Sequence, residues 1–232
     1  MPRKRRKTRT DKSIEKYNVG LPAPKVGLIT AFFFISGATS LALEVAWSKE
    51  LSYLLGVDIY AATTVVTAFM AGLGLGALVA ARFFRRVRAS IRVYGLLQLT
   101  IGACGMLSIP LFRSTQPLLS ILYAHLNYDG GLFLVARFVV VFGLMLLPVT
   151  LMGMTLPVVV GALAGERRPQ FASLAGRLYG VNTLGAVSGT LLAGFLLVPK
   201  MGLLRTCVLT GMVDFLIGIA VLLAFRRRPT LK

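Results

Sequence analysis

Acidic residues are scarce in this 232-residue chain, where eight Asp and Glu stand against 26 Lys and Arg. Histidine occurs once, as His125, tryptophan once, as Trp47, and cysteine twice, as Cys104 and Cys207. Each scarcity removes a class of chemistry. Two cysteines set in apolar stretches support neither a disulfide framework nor a zinc cluster, and they read as packing residues. A lone histidine outside a Cys-x-x-Cys-His sequence leaves no attached c-type haem and no histidine pair for b-type haem, so no cofactor is expected. Long polar stretches are also missing, which leaves little chain from which to build a soluble domain.

What the chain has instead is six long apolar runs, from Val26 to Trp47, Tyr60 to Ala81, Tyr94 to Phe112, Leu132 to Gly161, Leu178 to Val198 and Leu203 to Phe225. Each is long enough to cross a bilayer as helix. The fold class expected is therefore an all-α integral membrane bundle of six spans. A basic tail over residues 1–25 precedes the membrane domain over 26–225, and a short basic terminus over 226–232 follows it. The stretch from Pro117 to Leu126 is too short for a further span and suits a helix lying at the outer interface.

The basic residues alternate between loops. Nine lie before the first span, five between Arg82 and Arg92, three between Glu166 and Arg177, and four after the last span. The other connections hold only Lys49, Arg113, Lys200 and Arg205. Cationic loops resist translocation, so this asymmetry predicts both termini in the cytoplasm and a chain seated in a bacterial cytoplasmic (inner) membrane. A formal charge of +18 also suits a nucleic-acid binder, but its confinement to one face of a membrane protein explains it as orientation and contact with anionic lipid. The lipid bilayer is thus the expected partner, and nucleic acid is not. The first run is too long and lacks the small-residue cleavage site of a secretory signal, so it reads as a retained span.

Glycine and other small residues mark the helix contacts. Thr64, Ala68, Gly72, Gly76 and Ala80 recur every four residues along the second span and predict a seam where another backbone approaches closely. Gly72 to Gly76 superficially resembles a nucleotide-binding glycine loop, but the strand and soluble setting such a loop needs are missing. In the fifth span Gly176 pairs with Gly180 and Gly185 with Gly189, on opposite sides, which predicts a helix sandwiched between neighbours. Pro148 and Pro157 interrupt the fourth run, so a kinked or tilted helix is expected there.

Three ionisable residues fall inside spans, Glu44, Arg137 and Asp214, and such groups are costly in lipid unless they have a partner or a task. Glu44 and Arg137 lie at similar predicted depth and are candidate partners, either as a strut fixing helix register or as part of a substrate or proton site. Ser36, Ser40 and Glu44 share one helical face, a polar stripe that must point into the bundle or a wet cavity. Trp47, one turn on, fits an outer aromatic belt. Asp214 sits between Gly211 and Gly218 with no cation expected at its depth. Desolvation there favours the neutral acid, which suits either a proton-coupled carrier or a carboxyl hydrogen-bonded to Ser188 or Thr190.

Three segments carry a family resemblance. Ser36-Gly37-Ala38 followed by Leu43-Glu44-Val45-Ala46-Trp47-Ser48-Lys49-Glu50-Leu51 is similar to the opening of the membrane-embedded spermidine synthase-like proteins. Leu147-Pro148-Val149-Thr150-Leu151-Met152-Gly153-Met154-Thr155-Leu156-Pro157 and the stretch from Gly176 to Ala186 resemble that family's later membrane motifs. The resemblance covers about Phe32 to Phe225. It implies a bundle related to half of a major-facilitator transporter, a module that in the family precedes a soluble aminopropyltransferase domain. Arg82-Phe83-Phe84-Arg85-Arg86 stands where facilitators carry an acidic-basic-glycine loop motif, although Ala81 and Phe84 occupy its Asp and Gly positions.

With four residues after Arg228, that soluble domain is not expected here, and no family catalytic residue is carried onto this sequence. Two function classes follow. One is a non-catalytic membrane module that anchors or partners a synthase or membrane assembly. The other is a facilitator-like bundle that binds or moves a small cation such as a polyamine, completed by a homo-oligomer or a second six-helix partner, with Glu44 and Asp214 among its acidic groups.

Overall fold

The computed structural model describes residues 23–55, 58–84, 90–125, 130–164 and 168–225. The basic tail through residue 22, the arginine cluster over 85–89, residues 165–167 and the terminus over 226–232 lie outside the described residues. Most of the cationic segments behind the predicted orientation are among them.

Helix α1 runs Ala23–Leu55, α2 Asp58–Phe84, α3 Ile91–Ser114, α4 Gln116–His125, α5 Gly130–Ala164 and α6 Arg168–Leu192. A π-helical turn, Ala193–Leu197, joins α6 to the short α7, Val198–Met201, and α8 spans Leu203–Ala224. There is no strand among the described residues. Six helical stretches are long and apolar enough to cross a membrane. In a solvent without hydrogen-bonding capacity, helix is the form in which an isolated span satisfies its own backbone, and runs this apolar leave the chain little alternative.

The breaks between helices have local causes. Ser90 caps α3, its side chain accepting from the Arg92 backbone N–H. Thr115 ends α3 by turning both its N–H and its hydroxyl onto the Phe112 carbonyl, and α4 follows at once. Gly202 separates α7 from α8 at φ 78°, in a region that favours glycine. Pro199 has no N–H to return to the carbonyl four residues back, and the wider π turn lies directly before it.

Three close seams hold the bundle, α3 with α8, α2 with α5, and α1 with α6; the glycine contacts run antiparallel in the first and parallel in the other two. Between them runs one apolar core that includes Phe33, Leu43, Trp47, Phe69, Tyr94, Met145 and Val158. The outward surface is also apolar, with Leu78 69 % and Phe195 80 % exposed. Large hydrophobics so exposed suit a surrounding of lipid.

Several sequence expectations need correction. Helix α1 continues past Trp47, so Lys49 and Glu50 are helical and not loop residues. Trp47 is fully buried and does not sit in an outer belt. Its ring packs edge-on against Phe112, at 6.1 Å between centroids, and tilted against Phe69 at the same separation. In the fifth span one of the two glycine pairs makes a contact: Gly185 and Gly189 press on α1, whereas side chains added at Gly176 or Gly180 would meet open space. The connection from Pro117 does form a short helix, α4.

Candidate polar site at the crossing of three helices

Helices α3 and α8 cross with their backbones nearly touching, and glycine makes this possible. A Cβ on Gly102 would run into the Gly211 carbonyl and the Phe215 backbone, and one on Gly218 would run into the Gly95 carbonyl and the Leu99 backbone. The pairs Gly102 with Gly211 and Gly95 with Gly218 fix an antiparallel register. Both helices then place a polar residue between their glycines, three residues after one and four before the next. On α3 it is Gln98, and on α8 it is Asp214. Register therefore brings Gln98 and Asp214 to the same level, on faces turned toward each other.

Helix α1 closes this compartment. The Thr39 hydroxyl donates to Asp214 Oδ1 at 2.7 Å, and it also lies 3.0 Å from the Ser36 carbonyl of its own helix. Gln98 Nε2 donates to the Tyr94 hydroxyl at 3.1 Å, and the Ser36 side chain is within hydrogen-bonding reach of that hydroxyl. Asp214, Gln98 and Tyr94 are wholly buried, and Ser36 and Thr39 nearly so. Two acceptors in this group, Asp214 Oδ2 and Gln98 Oε1, have no hydrogen-bond partner. Unpaired buried polar atoms are rare because each forfeits its solvation, so two on facing helices at one level call for a physical account.

Of the residues singled out from sequence, Ser36 and Asp214 meet here, through Tyr94 and Thr39. The carboxyl is not bonded to Ser188 or Thr190, whose hydroxyls return to the Leu184 and Ala186 carbonyls of their own helix. Helix α6 packs on α1 and α5, away from α8, so its hydroxyls do not reach Asp214. Ser40 and Glu44 are half-buried further along α1. Glu44 and Arg137 are not brought together: the Arg137 guanidinium lies over the Phe133 ring, 4.8 Å from its centroid. Helices α1 and α5 touch only slightly.

A different ion pair ties α1 to α3. Arg113 grips Glu50 with two hydrogen bonds, Nε to Oε1 at 2.6 Å and Nη2 to Oε2 at 3.1 Å. Sequence reasoning assigned Arg113 to a loop and did not single out Glu50, because both fall just beyond the apolar runs. Gln98 and Thr39 were also missed. The matching glycine spacing around Gln98 and Asp214 is the signal that locates Gln98.

The packing glycines occupy distinct seams. Gly72 seats Val149 and Thr150 of α5, and Gly76 lies against the Thr150 carbonyl and Gly153. Gly185 and Gly189 lie against the carbonyls of Phe34 and Ala38, and Gly37 against that of Asn182. The three segments that carry the family resemblance thus meet other helices largely through glycine. Among the described residues no group of His, Cys, Asp and Glu is arranged to hold a metal ion.

Comparison with known proteins places the chain beside one enzyme class over part of its length. It is 28 % identical over 208 residues to polyamine aminopropyltransferase 2 of Streptomyces coelicolor, a match covering 88 % of this chain and 36 % of that protein. It is 29 % identical over 204 residues to polyamine aminopropyltransferases 2 and 1 of Ralstonia nicotianae, covering 86 % of this chain and 36 % and 35 % of theirs. The chain therefore spans about a third of the length of the curated relatives it matches. No protein-family model matches it, and no solved structure does.

Proposed function

We propose that this chain is a membrane module of a spermidine synthase-like protein, non-catalytic by itself, which anchors or partners a synthase in a bacterial cytoplasmic membrane. One observation carries the reading. The similarity to proteins named polyamine aminopropyltransferase runs through nearly the whole chain, yet what it runs through is a bundle of six apolar helices. The membrane domain on this reading extends over 26–225, with both termini cytoplasmic. An origin as half of a facilitator-like bundle is part of the same proposal and rests on the resemblance of the motif segments.

The reading is tested by purifying the tagged chain from its native membrane in mild detergent and measuring aminopropyl transfer from decarboxylated S-adenosylmethionine to putrescine. Activity that copurifies, together with an aminopropyltransferase-like polypeptide identified by mass spectrometry, is the expected result. Absence of both overturns it.

A second reading rests on Glu44, a half-buried carboxylate followed along α1 by the Glu50–Arg113 pair but not itself brought to Arg137. On this reading the module binds or carries a small cation such as a polyamine, and a homo-oligomer or a second six-helix partner completes the path. Uptake of labelled spermidine into proteoliposomes, lost in Glu44→Gln, separates it from the first.

A further inference from the structure

We infer that the α3–α8 crossing is a proton-binding site, in which Asp214 is a neutral carboxylic acid whose Oδ2 hydrogen is donated to Gln98 Oε1. The hydrogen-bond bookkeeping leads to it. Thr39 supplies the partner of Oδ1, and Gln98 has turned its amide hydrogens toward Tyr94. What is left is two buried acceptor oxygens without partners, Asp214 Oδ2 and Gln98 Oε1, on residues that the glycine register places at one level of facing helices. A single added proton satisfies both. The glycine contacts above and below leave the backbones too close for a larger ligand to be the missing donor.

The charges around the compartment agree. Every cation on the elements packed against α8 is engaged or distant. On α1, Lys25 lies over the Phe225 ring and Lys49 over Tyr53. On α3, Arg92 donates to the Phe225 carbonyl and Arg113 to Glu50. Lys200 on α7 and Arg205 on α8 itself are exposed. The titratable group facing Asp214 is Tyr94, from α3, while Glu44, five residues beyond Thr39, is turned about 140° away around α1. An ionised carboxylate here would be a buried charge with one hydroxyl donor and no counter-charge among the described residues, an arrangement proteins avoid.

The proton is then a structural ligand that joins α1, α3 and α8. Because the folded state holds it and the unfolded chain at neutral pH does not, stability is present at lower pH and is lost as pH rises. Infrared spectra of the purified full chain in detergent test this directly. At neutral pH we expect a carboxylic-acid carbonyl band that disappears in Asp214→Asn and shifts in Gln98→Leu, where the hydrogen bond to the amide is gone.

Thermal unfolding across pH supplies a second readout. The wild type should lose stability on the alkaline side, and Asp214→Asn, whose amide supplies the same donor without titrating, should lose less. A wild-type spectrum without the carboxylic band overturns the proposal and points to a rotated Gln98 amide donating to an ionised carboxylate. A band unmoved by Gln98→Leu overturns the assignment of the acceptor. Both spectral arms are independent of any associated synthase.

Discussion

Two seams of this bundle solve the same packing problem with different chemistry. Where α2 meets α5, Gly72, Gly76 and Gly153 bring backbones together and the space between is filled by Val149, Thr150 and Leu73. Where α3 meets α8, glycines again remove the side chains, but the space between holds Gln98 and Asp214. Around these glycines the first seam is held by close contact. The second adds directional bonds that reach a third helix through Thr39. Van der Waals contact between small residues tolerates sliding and rotation, whereas a buried polar group is satisfied in one register only. The comparison teaches that glycine sets how near two helices come and polar side chains set which partner and which register they keep.

The largest effects should come from filling either seam. Gly76→Leu and Gly211→Leu place a side chain against opposing backbone, which cannot rotate away, and each should cost about 3 kcal/mol, the upper end for overpacking. Loss of monodisperse protein in size-exclusion chromatography, with a lower midpoint of thermal unfolding, checks this. If either variant unfolds like the wild type, the close approach at that seam is wrong.

Next in size is the ion pair that fastens α1 to α3. Glu50 is almost fully enclosed while the Arg113 side chain remains 54 % exposed. Removing one partner of a buried pair costs roughly 3–5 kcal/mol, but exposure of the arginine lets water compensate, so Arg113→Met should cost about 2 kcal/mol. Arg113→Lys should restore only part of it, because an ammonium cannot grip both carboxylate oxygens in the same planar fork. Denaturant unfolding in a defined detergent measures both.

Thr39→Val sharpens the contrast between the seams. It removes one donor to Asp214 while keeping shape, and should cost about 1 kcal/mol. The equivalent change on the other seam, Thr150→Val, removes a hydroxyl that serves only the Leu146 carbonyl of its own helix. That variant should be near neutral by the same thermal measurement. Equal losses in the two variants would erase the distinction between a bonded and a merely packed seam.

The smallest effects belong to the open end of α6. Gly176→Ala and Gly180→Ala meet nothing and should be neutral or gain up to about 1 kcal/mol from helix propensity. Gly189→Ala, on the same helix but against the Ala38 carbonyl, should be destabilising. A clear loss from Gly176→Ala would show that this face is covered by another molecule in the membrane.

Much of the architecture was legible before any tertiary contact was known, because it depends on quantities local in sequence. Apolar runs of span length, small residues every fourth position in the second span, and the short helix after Arg113 all follow from which residues stand near one another along the chain. The close seam at Gly72 and Gly76 lies where small side chains line one stripe. The ends of the helices were less legible. Trp47, Glu50 and Arg113 lie where the apolar run fades, and hydropathy cannot distinguish a helix that continues from one that stops.

The amino-acid sequence by itself determined that this chain is helical, how many long apolar helices it forms, and which residues are too polar to face lipid unpaired. Only the tertiary structure decided who meets whom: Asp214 bonds Thr39 and not Ser188, Glu50 pairs with Arg113 while Glu44 is not brought to Arg137, and Trp47 turns inward. The reason is geometric. Hydrophobicity and helix propensity act residue by residue, but a hydrogen bond or ion pair across a bundle depends on the rotation, depth and tilt of two helices far apart in the chain, and packing of the whole sets those three.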